Sequence, residues 1–260
     1  MENPLRARAR ADRLIGYWLT TASPMVTEIA AGAGFDWLLV DMEHAPNDLG
    51  DIVHHLRAAA AGGNAEPVVR MPVNDAVMVK RLLDAGARSL MFPNVQNADE
   101  ARAAVAATRY PPDGIRGFST VSRATRFGRL KDYAPRACET IYVIVQVETS
   151  QAIDNAAEIA AVEGVDCVFV GPNDLAANMG HLGKASAPEV QRKILDALAA
   201  IRSKGKRAGL LDYNVDSARK MFDAGFGLIA VGGDSGSIAR AMDDLVARFR
   251  QGSQGNVNLG

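Results

Sequence analysis

The chain has 260 residues, is 48% hydrophobic and carries 29 basic against 30 acidic side chains, so it can bury one large core and is not charged like a nucleic-acid binder. No apolar stretch reaches the roughly 18–20 residues that span a bilayer, and the start, Met1-Glu-Asn-Pro-Leu-Arg, lacks the apolar centre of a signal peptide. Its two cysteines, Cys138 and Cys167, suit neither a disulfide framework nor a Cys-based metal site; a cytoplasmic protein with no membrane partner is expected.

Hydrophobic runs alternate with amphipathic ones along the whole chain, the mark of an α/β fold. Strands are predicted at 14–19, 37–42, 67–70, 88–92, 141–148, 166–171, 207–211 and 227–232. Helical patterns lie between and after them, at 24–33, 48–61, 74–85, 97–108, 150–161, 188–204, 214–224 and 235–250. Several end in a C-cap glycine: Ala33-Gly34, Ala85-Gly86, Lys204-Gly205 and Ala224-Gly225. Eight strand–helix units in this length fit a single-domain (β/α)8 barrel over residues 1–250. The rival is a doubly wound sheet, but no GxGxxG follows the first strand. Residues 109–139 break the rhythm as a long Arg-rich loop (Arg116, Arg123, Arg126, Arg129), and the polar segment 251–260 is expected to fray.

In such a barrel the C-terminal strand ends face the active site. That filter selects Trp18, then Asp41, Glu43 and His44, then Arg70. Further round the rim come Gln146 and Glu148, Gly171, Pro172, Asn173 and Asp174, and finally Leu210, Leu211 and Asp212. Glu148 and Asp174 close two neighbouring strands, and paired acids repel unless a cation lies between them. Their oxygens suit Mg²⁺ or Mn²⁺, with open positions left for substrate oxygens; the plain alternative is a surface carboxylate and a helix N-cap. His44 can act as a general base, with Asp84 as an orienting partner or merely a helix-terminal acid. Arg70 suits an anionic substrate or a developing enolate, or else a salt bridge to Glu43 or Glu148. His54, His55 and His181 read as structural. No lysine ends a strand on this rim, which weakens a Schiff-base mechanism. The Gly232-Gly233-Asp234-Ser235 segment is similar to barrel phosphate sites, though a plain tight turn explains it as well.

Segments 31–48 (AGAGFDWLLVDMEHAPND), 67–75 (PVVRMPVND), 82–101 (LLDAGARSLMFPNVQNADEA), 109–117 (RYPPDGIRG), 143–153 (VIVQVETSQAI) and 163–183 (EGVDCVFVGPNDLAANMGHLG) together resemble the HpcH/HpaI aldolase family. The resemblance runs from about Gly16 to Arg248. It implies a class II pyruvate aldolase that uses a divalent metal (Mg²⁺, Mn²⁺ or Co²⁺), cleaving a 4-hydroxy-2-oxo acid to pyruvate and an aldehyde. It also implies a barrel that exchanges its last helix between subunits and assembles as a hexamer, a trimer of dimers. Glu148 and Asp174 would ligate the metal and Arg70 would meet the pyruvate carbonyl oxygen. His44 paired with Asp84 would be the base acting through a water, and Gln146 would support the substrate shell. Asn173 stands where relatives often carry Ala or Ser, and Met42 where a small residue is common, so the aldehyde pocket around Trp18, Leu210, Leu211 and loop 116–129 is the open part. An acyl-CoA lyase of the same superfamily, a phosphate-handling isomerase and a non-catalytic assembly protein stay as alternatives.

Overall fold

The computed structural model of the chain describes residues 2–8 and 13–252. Eight parallel strands pair in chain order: β1 (Leu14–Leu19), β2 (Trp37–Asp41), β3 (Glu66–Arg70), β4 (Ser89–Phe92), β5 (Tyr142–Val147), β6 (Cys167–Val170), β7 (Arg207–Leu211) and β8 (Leu228–Gly233). β8 pairs back onto β1, which closes the barrel and excludes the open doubly wound sheet. The helices are α1 (Pro4–Ala7), α2 (Pro24–Gly32), α3 (Leu49–Gly62), α4 (Ala76–Asp84), α5 (Ala98–Thr108), α6 (Tyr133–Thr140), α7 (Ser150–Asp154), α8 (Ala156–Ala161), α9 (Pro172–Asn178), α10 (Pro188–Ser203), α11 (Val215–Ala224) and α12 (Asp234–Gly252). No helix among the described residues is long and apolar enough to cross a membrane.

Side chains alternate along each strand between barrel interior and helix layer. Trp37 and Leu39, Val68, and Tyr142 and Ile144 join the interior cluster, whereas Leu38, Val40, Val69, Val143 and Val145 pack outward under the helices. The same alternation carries Asp41, Arg70, Gln146 and Glu148 to the inward-facing side at the upper rim. Space for the interior rings is made by glycine: an ideal Cβ on Gly16 would lie 2.0 Å from the Trp37 ring. From below, α1 plugs the barrel with Leu5, which is fully buried among these residues.

The expected helix over 150–161 divides at Asn155 into α7 and α8. Segment 109–139 is less open than its composition suggests. It ends in α6, and the Arg116 side chain is fully buried, stacked 4.5 Å from the Tyr110 ring. Gly232-Gly233-Asp234-Ser235 forms no anion cradle: β8 runs straight into α12, and the Asp234 carboxylate accepts from the N–H and hydroxyl groups of Thr20 and Thr21. α12 leans on β1 and β8 only through its start. Beyond it the helix is exposed, with Ile238, Met242, Leu245, Val246 and Phe249 recurring at the spacing of a single apolar stripe. It runs on through Gly252, two residues into the segment expected to fray; the rest of that tail lies outside the described residues.

Candidate active site

The upper rim is organised around a buried ion pair. Asp41 and Arg70 end adjacent strands in direct register. Arg70 donates from Nε to Asp41 Oδ1 at 2.9 Å and from Nη2 to Oδ2 at 2.5 Å, a two-pronged contact. Trp18 Nε1 donates to the same carboxylate at 3.0 Å, and its ring lies 4.9 Å from the guanidinium carbon. Burial disfavours the Asp41 charge, but the hydrogen bonds and charge of Arg70, with help from Trp18 and the Glu43 N–H, outweigh it and hold the carboxyl below its ordinary value. The remaining arm of Arg70, Nη1, stands 2.9 Å from Glu43 Oε2, an ion pair too oblique for a hydrogen bond. Of the two salt bridges weighed for Arg70, the one to Glu43 is present and the one to Glu148 is not found among the described residues; the two-pronged partner is Asp41, which was not weighed.

Opposite lies an acidic side. Glu148 accepts from the Asn94 backbone N–H at 2.9 Å and from Gln146 Nε2 at 2.6 Å. Burial, then the charges of Asp174 and Glu43, push its carboxyl up to about 7. Glu43 is raised too, by burial foremost and by Asp41 and Asp174, against the pull of Arg70 and His44. Asp174 is not the cap of α9: Gly171 holds the N-cap position, and the Asp174 side chain makes no hydrogen bond or ion pair among the described residues. Gly171 is needed for close approach, since a Cβ there would sit 2.6 Å from Glu148 Oε2. Its N–H is spent on Val147 O and Pro172 has none, so the N–H groups left at the start of α9 are those of Asn173 and Asp174.

A cleft of about 100 Å³ brings together Trp18, His44, Arg70, Gln146, Gly171, Pro172, Asn173, Asp174 and Leu211, with Phe169 as an added wall. Asp84 is not brought there. It ends α4 at the opposite, lower end of the barrel, paired with Arg116 at 2.9 Å. The sequence placed Asp41 on the rim without a role and Glu43 there as a possible salt-bridge partner of Arg70, while Asn94 and Phe169 were missed. Asn94 carried one signal, an asparagine after Phe-Pro, and it takes the left-handed conformation (φ 52°) that turns its N–H onto Glu148.

The residues suit a divalent cation. Asp41 neutralises Arg70, which leaves Glu43, Glu148 and Asp174 as excess negative charge, and the buried Oε1 of Gln146 has no hydrogen-bond partner among the described residues. Among the described residues no three His, Cys, Asp or Glu side chains are grouped so as to hold a metal ion by themselves; the two carboxylates of Glu148 and Asp174 are fewer ligands than a hard divalent cation takes, the remainder being water or substrate oxygens.

The profile of the HpcH/HpaI aldolase/citrate lyase family matches residues 14–241. The chain belongs to that family. A relative from Shigella boydii named 4-hydroxy-2-oxo-heptane-1,7-dioate aldolase is 49% identical over 251 residues, covering 96% of this chain and 95% of its own. An Escherichia coli protein of the same name is 48% identical over 251 residues, with the same two coverages. Among solved structures, a family member from Burkholderia cenocepacia superposes with a TM-score of 0.92 at 44% identity, covering 95% of this chain and 99% of its own. The family barrel thus extends over nearly all of the chain, and the rim described above lies within the matched segment.

Proposed function

We propose that the protein is a divalent-metal-dependent aldolase that reversibly cleaves 4-hydroxy-2-oxo acids to pyruvate and an aldehyde. The observation that carries this reading is the convergence of Glu43, Glu148 and Asp174 beside an arginine already neutralised by Asp41. Glu148 and Asp174 would hold the metal, and the oxygen-rich donor set suits Mg²⁺, Mn²⁺ or Co²⁺. When bound, the metal supplies Lewis-acid stabilisation of the 2-oxo group and of the enolate it becomes.

The chain's own residues have separate tasks. Arg70 places positive charge at the C2 oxygen, where negative charge grows as the C3–C4 bond breaks. His44, exposed at the cleft, takes the proton of the C4 hydroxyl as the aldehyde forms; the bonding pair passes to C3, and His44 returns the proton there to give pyruvate, the step that runs backwards when pyruvate exchanges its methyl hydrogens. Gln146 fixes Glu148, while the N–H groups of Asn173 and Asp174 face the substrate carboxylate across Gly171 and Pro172. Trp18, Asn173 and Leu211 wall the aldehyde side. An orienting role for Asp84 toward His44 needs a second copy of the chain to bring its lower end to this rim.

The exposed apolar stripe of α12, with Met25 and Ile29 exposed on α2, supports a homo-oligomer in which the last helix is exchanged and dimers build a hexamer. Two unpaired cysteines, one fully buried, fit a cytoplasmic protein. The deciding experiment assays pyruvate with a panel of aldehydes and Mg²⁺ or Mn²⁺, before and after chelation. Turnover should vanish on chelation and return with metal, and Arg70→Ala should lower it by orders of magnitude. Chelator-resistant turnover with borohydride trapping of a pyruvate adduct would overturn the reading.

A further inference from the structure

Behind the rim runs a chain of buried hydrogen bonds that none of these roles uses. Residues 42–48 leave β2 without regular structure and carry Glu43 and His44 before α3 begins. Asn47, near the end of this loop, turns back and donates from Nδ2 to the Asp41 carbonyl at 2.7 Å, tying the two ends together. That contact settles the amide's orientation, because Nδ2 can only donate. Its Oδ1 must therefore accept, and it faces His55 Nε2 at 3.0 Å. Nε2 then carries the ring proton, and Nδ1 is left to accept from the Thr27 hydroxyl at 2.6 Å. Thr27, Asn47 and His55 are 0%, 4% and 1% exposed, so bulk water does not replace a lost partner. Burial also holds the His55 ring below its ordinary pKa, against the pull of Asp51 and Asp234, which keeps the neutral tautomer this network requires.

We propose that His55 is a positioning residue of the active site, holding the His44 loop in register through Asn47. Asp41 is gripped at both ends. Its carboxylate is held by Arg70, Trp18 and the N–H groups of Glu43 and His44. Its carbonyl is held by Asn47, whose amide is aimed by a histidine on α3 and anchored in turn by a threonine on α2. Loosening that second grip leaves Arg70 seated on the carboxylate but lets the loop drift. The inference rests on the base role proposed for His44.

The test follows exchange of the pyruvate methyl hydrogens in deuterium oxide by NMR, with Mn²⁺ for affinity and Mg²⁺ for rate. His55→Leu should lower the exchange kcat about 10- to 100-fold, while the KM for pyruvate stays within about twofold, the split expected of a misplaced base rather than a lost binding contact. Asn47→Ala should match it, the double variant should be no worse than either single one, and His55→Gln should restore most of the rate. Wild-type kcat in Asn47→Ala and His55→Leu, or a loss that only tracks the folded fraction, overturns the proposal; if His55→Leu does not fold, Asn47→Ala and His55→Gln still decide it. His44→Ala separates the two layers: full exchange in that variant would sink the base assignment itself, whereas a dead His44→Ala beside a fully active Asn47→Ala sinks only the positioning role.

Discussion

Gly171→Ala perturbs the proposed metal site without replacing a ligand. Gly171 has an ordinary extended conformation (φ −91°, ψ 95°), so alanine costs nothing in the backbone and the whole effect is steric. The new methyl carbon would lie 2.6 Å from Glu148 Oε2, and 2.9 Å from both Gln146 Nε2 and Glu148 Cβ. To reach ordinary contact at 3.4 Å the carboxylate must retreat by 3.4 − 2.6, about 0.8 Å. It cannot do so while keeping its 2.9 Å bond to Asn94 and its 2.6 Å bond to Gln146. Overpacking of this kind costs about 1–3 kcal/mol, which lowers the Tm of a domain this size by roughly 2–12 °C. A displaced ligand with a disturbed supporting bond should weaken metal binding by about 10- to 100-fold. Calorimetric titration with Mn²⁺ and a metal-free thermal melt measure the two effects separately. Unchanged affinity with an unchanged melt would refute the reasoning.

Glu148 gives a pH signature: its folded pKa, about 7, lies above the unfolded value, so the proton-bound folded form is favoured and metal-free stability should fall as pH rises from about 4.5 to about 7. Metal binding must displace that proton, so Mn²⁺ affinity should climb with pH up to about 7 and then flatten; Glu148→Gln should abolish the binding and flatten the stability profile. Asp234 works in the other direction. Burial opposes its charge, but the hydrogen bonds from Thr21 and Thr20 depress its pKa, so its contribution is present above the unfolded value of about 3.8 and disappears as pH falls through the folded one. Asp234→Ala should loosen the start of α12 and lower the mass seen by sedimentation, and an unchanged oligomer would remove that anchor role. Finally, if Asp84 serves a neighbour's His44, mixing inactive His44→Ala and Asp84→Ala subunits should restore part of the activity, and dead mixtures would remove Asp84 from the reaction.

The barrel was legible because burial on both faces leaves near-continuous apolar strands between amphipathic helices. Glu148 was legible for the same reason, two residues beyond Gln146 on the inward-facing side of β5. Short elements were not. α9 has seven residues and α6 eight, about two turns each, too few to separate a helical period from the flanking loops. The burial of Arg116 was not legible either, because charge alone says nothing about burial; the Tyr110 and Tyr133 rings that enclose it come from opposite sides of a folded loop. The Asp41–Arg70 pair was within reach, since strands of similar length leaving the barrel side by side must bring their last inward residues together. Sequence spacing put Asp84 at a helix end, and the fold turns that end away from His44.

The charge arrangement of the rim assigns different jobs to the two arms of Arg70. Nε and Nη2 are committed to Asp41, which is almost wholly buried and held below its ordinary pKa, so that half of the guanidinium is structural in every state. Among the described residues Nη1 meets only Glu43, at an oblique angle, and Glu43 is held above its ordinary pKa because burial and its acidic neighbours disfavour its charge. A poorly satisfied acid is a weak competitor. In the proposed reaction an arriving 2-oxo acid therefore displaces Glu43 from Nη1 at small cost, while Asp41 keeps the guanidinium plane fixed. Charge that is already oriented stabilises an oxyanion without reorganising when the C3–C4 bond breaks. The Asp41 clamp thus fixes where the positive charge lies, and the Asn47–His55 chain fixes where the His44 loop lies relative to it.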